Sequence, residues 1–165
     1  MSVHRLAVVP ASPPLERVEK ATVWFCGHCG AQPNNDGSSP PSGRVCGDCG
    51  LGLLLESNAD AAPTPDGAFM VLDATLAVCA MSEEAERLLA TSEAEAVNRH
   101  ITELVVPADA EAQGPENLAV AVTWAARGDE ATRHVVVRPA KTFGVRLRAR
   151  IASCGPPRAA LLVFD

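Results

Sequence analysis

The sequence predicts an α+β protein made of two parts, a small cysteine-rich module and a larger domain of mixed strands and helices. Three observations lead to this prediction. The 165 residues are enough for one small module and one compact domain. The composition changes sharply at residues 56–67. After Gly67, strand and helix patterns follow one another in the order β-β-α-α-α-β-β-β.

Composition separates four segments along the chain. Residues 1–22 form an N-terminal extension that contains several prolines, and we assign no role to it. Residues 23–55 hold four cysteines and form the cysteine module. Residues 56–67 contain two prolines without apolar periodicity and are predicted to be a linker. The larger domain covers residues 68–165.

Strands of the larger domain are predicted where short apolar runs are bounded by turn residues. Five runs fit this description: 68–72, 76–81, 134–138, 145–151 and Ala159–Phe164. The last run is apolar on both faces, as a central strand would be.

The run 145–151 alternates apolar residues with Arg146, Arg148 and Arg150. Alternation of this kind predicts a strand with one buried face and one basic face. We interpret the basic face as a solvated sheet surface. The alternative is an ion-paired contact with an acidic helix or a partner.

Three helices are predicted between the second and third strands. Ser82 is an N-cap followed by acidic residues, which predicts a helix that ends near Ala90. A second, short helix is predicted over 99–105, before Pro107. A third runs over 115–127 and begins at a proline, which is a favoured residue in the first turn.

Composition also excludes several classes of protein. No run of 18 apolar residues occurs, and the first ten residues lack the apolar core of a signal peptide. We therefore expect a cytoplasmic protein without a membrane span. The net charge of −6 argues against a general nucleic-acid binder, and residues 1–55 carry no net charge.

Four of the six cysteines lie in two C-x2-C-G turns, Cys26 and Cys29 in the first and Cys46 and Cys49 in the second. Without an export signal, such pairs indicate a metal site before a disulfide framework. The glycine after each pair permits a positive φ that turns backbone N–H groups towards the sulfurs. Four thiolates suit tetrahedral zinc.

This pattern resembles a zinc ribbon over residues 23–55, in which two such turns face each other across the metal. The resemblance implies a structural Zn²⁺ ion held by all four cysteines, with no position left for water or substrate. His28 and Asp48 lie inside the turns and are expected to be solvated. Two disulfides or free thiols are the alternative to metal binding.

Iron is the other metal that these four thiolates could hold. Rubredoxin also uses two C-x2-C-G turns, but it surrounds its iron with several aromatic residues. This module offers only Trp24 and Phe25. A redox switch that releases the metal on oxidation is a further alternative that nothing in the sequence favours.

The larger domain carries the ordered motifs of a second family. Residues 69–73 read FMVLD, 76–82 read LAVCAMS and 83–89 read EEAERLL, so two apolar strands lead into a helix; RHITEL follows at 99–104. This order resembles the opening of a PAS domain, and the later helix and strands extend the resemblance over 68–165. It implies a five-stranded antiparallel sheet with helices on one face, which binds a small ligand or another protein.

The PAS-like domain has no haem or flavin motif. Residues 97–100 contain no cysteine where flavin photosensors carry one, and 118–127 contain no histidine where haem members often carry one. We expect Cys79 and Cys154 to be core or half-buried residues. His100 and His134 are expected at the surface or at strand ends.

No Ser-His-Asp order, H-E-x-x-H motif or phosphate loop is present, so we expect no enzyme. We expect a cytoplasmic regulatory or adaptor protein whose zinc ribbon binds protein and whose PAS-like domain senses a ligand or partner. The expected contacts are an unidentified protein, a small molecule and a second copy bound through the sheet. Asp165 directly follows the last strand, so we expect the output to pass through such contacts. The alternatives are a rubredoxin-like iron protein and a transcription-associated ribbon that contacts nucleic acid or polymerase.

Overall fold

The apolar runs of the larger domain fold as strands and helices close to their predicted positions. The computed structural model describes residues 20–33, 42–108 and 117–165. Within these ranges the strands are β1 (Thr22–Cys26), β2 (Leu54–Asn58), β3 (Phe69–Leu72), β4 (Val78–Met81), β5 (Val105–Pro107), β6 (Arg133–Pro139), β7 (Leu147–Gly155) and β8 (Ala159–Phe164). The helices are α1 (Glu83–Leu89), α2 (Glu93–Ala96) and α3 (Leu118–Ala126), with a 3₁₀ turn at Ile101–Glu103.

Five antiparallel strands form the main sheet of the larger domain, in the order β4-β3-β8-β7-β6, and the three-residue strand β5 extends it by pairing with β6. Alternate residues of these strands, such as Met70, Leu72 and Leu162, share one apolar core with residues from all three helices and the 3₁₀ turn. The helices therefore lie on one face of the sheet, and the opposite face is called the outer face below. The fold is α+β, as the sequence predicts.

Ser82 fixes the start of α1 and joins it to the sheet. Its hydroxyl accepts hydrogen bonds from the N–H of Ala85 at 3.3 Å and the N–H of Phe69 at 2.9 Å. It also donates to the carbonyl of Gly67 at 3.0 Å. The predicted N-cap is confirmed, and it has a second role at the entrance to β3.

Several element bounds differ from the prediction. The segment 99–105, predicted as a helix, forms the 3₁₀ turn and then β5, which pairs with β6. β-branched valines before a proline suit an edge strand better than a helix. Helix α2 was not predicted, because four residues are too few to show a period. β7 continues four residues beyond its predicted end. The predicted helix start at 115–116 and the extension up to residue 19 lie outside the described residues.

The hairpin of the cysteine module is part of the same sheet. β1 pairs with β2 from Thr22 opposite Asn58 to Cys26 opposite Leu54. β2 then pairs with the end of β7 through Ser57 and Glu56, and the Ser57 hydroxyl donates to the carbonyl of Ser153 at 2.9 Å. The first three residues of the predicted linker therefore belong to β2.

Among the helices of the described ranges, none has the length and apolar character needed to cross a membrane.

Candidate metal centre

The two cysteine turns face each other beyond the end of the β1–β2 hairpin. The Sγ atoms of Cys26, Cys29, Cys46 and Cys49 all lie within 4.8 Å of one another. Two pairs are closer: Cys26 and Cys49 at 3.7 Å, and Cys29 and Cys46 at 3.9 Å. The structure therefore brings together all four predicted ligands.

The two turns have the same backbone conformation. The N–H of Gly30 donates to the carbonyl of Cys26 at 3.0 Å, and the N–H of Gly50 donates to the carbonyl of Cys46 at 3.0 Å. Both glycines lie in the left-handed region, with φ of +73° and +68°. A side chain is strained there, so the glycine of each C-x2-C-G motif has a conformational reason.

Backbone N–H groups point at two of the sulfurs. The N–H groups of His28 and Cys29 donate to Cys26 Sγ, each at 3.4 Å, and that of Gly52 donates to Cys49 Sγ at 3.4 Å. Such bonds orient metal ligands and stabilise the thiolate form. The close approach of Gly52 depends on its missing side chain, since a Cβ atom there would lie 2.3 Å from Cys26 Sγ.

The sulfur spacing fits a tetrahedral metal ion. Thiolates about 2.3 Å from a zinc ion define a tetrahedron with edges of about 3.8 Å, close to the two shortest distances given above. A disulfide requires about 2.05 Å, and all six cysteines of the chain are free. The cluster can therefore hold one metal ion with four protein ligands. Zinc and iron both accept this donor set.

Burial and hydrogen bonding separate the thiols by pKa. Burial raises the pKa of Cys26 to about 12 and also raises the pKa of Cys29. For Cys49, burial is the largest single influence and acts to raise the pKa. Hydrogen bonds from backbone N–H groups and the neighbouring thiols together outweigh burial and lower the pKa of Cys49 to about 6. At neutral pH an incoming cation would thus meet the thiolate of Cys49 and would displace the protons of Cys26 and Cys29.

Apolar groups cover one side of the cluster. Leu54 is buried against the cysteines, and Trp24 packs beside it. The guanidinium of Arg44 lies 5.9 Å from the centroid of the Trp24 ring and donates to the carbonyl of Pro156. Phe25 points away from the sulfurs, towards the outer face of the sheet. Of the aromatic residues that the structure describes, Trp24 is the one packed against the cysteine cluster.

His28 joins the first cysteine turn to the larger domain, which corrects the expectation that it is merely solvated. Its Nδ1 atom lies 3.1 Å from Oε2 of Glu93, the first residue of α2. Oε1 of Glu93 accepts a hydrogen bond from the N–H of Met81 at 2.9 Å. One carboxylate therefore contacts the cysteine turn and the end of β4. Asp48 is exposed, as predicted.

The cysteine module covers part of the outer face. Phe25 and Leu55 share an apolar core with residues of β3, β7 and β8, among them Phe69 and Leu161. The rings of Phe25 and Phe69 meet edge to face, with centroids 6.0 Å apart. β3 and β8 are therefore buried on both faces, by helices on one side and by the module on the other.

A cavity of about 630 Å³ lies between the cysteine turns and the outer face. Its apolar walls come from both parts of the chain: Leu51, Leu53, Leu55, Val71, Ala80 and Ala159. Leu51 is 75% exposed and Leu53 is 49% exposed, so part of this apolar wall is open to solvent. Cys79, Asp73 and Glu93 lie at the polar edge of the cavity. Its size and lining are typical of small-molecule sites.

The two other cysteines and the two histidines of the larger domain do not form a common site. Cys154 is buried as predicted, and burial raises its pKa to about 12. Cys79 is exposed, contrary to the prediction, and partial burial of its sulfur followed by the charge of Asp73 raises its pKa. His100 caps the 3₁₀ turn, and His134 is exposed on β6.

Two solved PAS domains are similar to this chain. The PAS domain of nitrogen regulation protein NR(II) from Vibrio parahaemolyticus is 15% identical with a TM-score of 0.44, covering 61% of this chain and 88% of that chain. The PAS domain of an HTR-like protein from Haloarcula marismortui is 15% identical with a TM-score of 0.45, covering 60% of this chain and 79% of that chain. No protein-family model matches the chain, and no curated protein sequence matches it. The likeness concerns the fold alone.

The contact between the two parts of the chain was not predicted from the sequence. Nothing in the sequence marked Glu93 as a partner of His28. A signal for the outer core was present, however. Ala159–Phe164 is apolar on both faces, and helices on one face leave the second apolar face in need of a cover.

Proposed function

We propose that the protein is a non-catalytic cytoplasmic regulator in which a structural zinc ion holds the cysteine module against a PAS-like sensing domain. The observation that carries this proposal is the shared core of Phe25 and Leu55 with the outer face of the sheet. A module attached in this way can pass a change at the metal, or in the adjoining cavity, to the sheet.

Zinc is favoured over iron by the surroundings of the cluster. Four protein thiolates fill a tetrahedral ion's positions, which is the usual arrangement of a structural zinc site. The aromatic shell of a rubredoxin would need more than Trp24. Four filled positions also leave none for a substrate, and this supports a role without catalysis at the metal.

The cavity beside the cysteine turns is the place where a ligand would be sensed. The interior between the helices and the sheet is filled by apolar side chains such as Met70, Ile101 and Val122. The outer cavity, in contrast, has room for a small apolar molecule and is walled by both parts of the chain. Ligand binding there would depend on a folded cysteine module.

A homodimer through the sheet stays a prediction, and two features oppose it. The cysteine module occupies part of the outer face. The remainder carries arginines on β6 and β7, and a two-fold interface would place this positively charged patch against its own copy.

The first experiment is elemental analysis with an absorption spectrum, on protein expressed without added metal. We expect one zinc per chain and no visible colour. Iron with a thiolate-type visible band would instead support the redox alternative. A metal-free protein with six reactive thiols would contradict the proposal.

A further inference from the structure

Positive charge is concentrated in one part of the molecule. Residues 131–164 contain seven arginines and lysines and no aspartate or glutamate, although the whole chain has a net charge of −6. These residues form β6, β7, β8 and the turns between them. The acidic residues are therefore placed elsewhere along the chain.

Strand pairing gathers much of this charge on the outer face. His134 lies opposite Arg150, and Val136 lies opposite Arg148. The residues that alternate with them on both strands are buried in the core on the helix side. Arg138, two residues after Val136, points to the same side. We call these five residues the basic face.

The basic face has few compensating acidic contacts among the described residues. Oδ1 of Asp165 lies 3.4 Å from Nη1 of Arg150. Nε of Arg150 is buried and has no hydrogen-bond partner there. Across the β6–β7 pair, Arg150 and Arg148 face His134 and Val136 rather than carboxylates, so the strand pairing itself supplies no compensating negative charge.

Exposed apolar side chains lie among the cations. Val136, on the basic face, is 37% exposed, and Phe143, at the turn between β6 and β7, is 83% exposed. The guanidinium of Arg138 lies 4.9 Å from the centroid of the Phe143 ring. A partner of this surface would therefore combine negative charge with apolar groups.

We propose that the basic face binds an acidic segment of a partner protein, one that carries leucine or phenylalanine between its carboxylates. Charge complementarity favours the carboxylates of such a segment, and Val136 and Phe143 favour its apolar residues. A phosphate backbone would use the arginines but would gain little from Val136 and Phe143. The inference rests on the proposed function in one respect, that this contact is the output of a regulator. The binding itself does not depend on it, because it would also occur if the metal were iron.

The test is fluorescence anisotropy with the full-length, metal-loaded protein and a labelled peptide of alternating glutamate and leucine. A polyglutamate peptide and a single-stranded DNA oligonucleotide, both of equal charge, are the comparison ligands. Arg148→Gln removes one exposed cation from the basic face. Arg87→Gln makes the same charge change on α1 and is the matched control. Val136→Ser removes an exposed apolar contact, and thermal unfolding checks that each variant is folded.

We expect the glutamate–leucine peptide to bind more tightly than polyglutamate or DNA. Arg148→Gln should weaken its binding about fivefold or more, while Arg87→Gln leaves it within about twofold. Val136→Ser should weaken the binding of the glutamate–leucine peptide and leave the binding of polyglutamate unchanged.

Four outcomes would overturn the proposal. The first is equal losses in the two arginine variants, which would indicate general attraction rather than a site. The second is DNA binding as tight as peptide binding, which would indicate a polyanion surface. The third is no peptide binding at all. Self-association that Arg148→Gln abolishes would assign the face to a second copy of the chain and would also contradict the proposal.

Discussion

Gly52 shows how closely the two cysteine turns are fitted together. It follows the second C-x2-C-G turn, and its backbone passes beside Cys26 of the first. Its N–H donates a hydrogen bond to Cys49 Sγ, and a side chain at this position would overlap the Sγ atom of Cys26. The spacing of the cysteines predicted the ligands but not this approach, because the distance depends on how the two turns dock.

Gly52→Ala should therefore weaken metal binding. The added methyl group must displace Cys26 Sγ, and we expect the metal affinity to fall about tenfold or more. Competition with a chromophoric chelator measures this affinity. Gly47→Ala is the matched control, since a Cβ atom at Gly47 meets nothing within 4 Å. Equal affinities for the two variants would show that the turns can separate without loss of the site.

At the level of elements, the turn between β3 and β4 is held by one carboxylate. Oδ1 of Asp73 accepts three hydrogen bonds. Two come from Thr75, from its N–H at 2.8 Å and from its hydroxyl at 2.7 Å, and the third comes from the N–H of Ala77 at 3.0 Å. Burial raises the pKa of Asp73 and is the largest single influence, but the bonds from Thr75 and Ala77 outweigh it and lower the pKa below its usual value. The ionised form is thus the one that the fold stabilises.

Asp73→Asn should lower the free energy of unfolding by about 1 kcal/mol at pH 7. A lowered pKa contributes stability above the unfolded-state pKa, and this contribution disappears as the pH falls from about 4 through the folded-state pKa. The difference between wild type and variant should therefore shrink below about pH 4. Denaturant unfolding at matched pH values measures it, and acid loss of the metal affects both proteins alike. Asp66→Asn, at an exposed position, is the control. A difference that stays constant down to pH 2 would contradict the assigned role of the charge.

Elements with strong local signals could be predicted from the sequence. Ser82 and the acidic residues after it marked α1, and Ala159–Phe164 was predicted with the bounds that β8 has. Local sequence signals did not predict the strands whose bounds depend on pairing with distant residues. β5 forms because β6 pairs with it, and β7 is long because its end pairs with β2. These partners lie roughly 30 and 100 residues away, so no short window of sequence reports them.

For the whole molecule, the covering of the outer face by the cysteine module has a measurable consequence. Cys154 is 4% exposed, and Phe25 and Leu55 belong to the core that contains it. Thirty-three residues with few apolar side chains cannot hold a stable fold alone, so we expect the module to depend on a bound metal ion. Removing the metal should uncover Cys154.

Alkylation followed by peptide mass spectrometry tests this dependence. In the metal-loaded protein we expect Cys79 to react and Cys154 to stay protected. After chelation, Cys154 should react along with the four ligand cysteines, because its raised pKa returns towards the ordinary value once it is exposed. Urea-unfolded protein gives the reference rate for each thiol. If Cys154 stayed protected after chelation, the module would hold its place without metal.

The pairing of β1 with β2 also determines how the molecule responds to force. A pull applied at Lys20, against the C-terminus, enters the hairpin where Thr22 faces Asn58, because β1 starts beside the end of β2. In that direction hydrogen bonds open one after another and offer little resistance. The opening then reaches Cys26, where the metal ligands of the two turns meet. Tension would therefore separate β1 from β2 at low force until it reached the metal-bound cysteines. The strength of the metal–thiolate bonds would then set the force needed to detach the N-terminal part of the chain from the sheet.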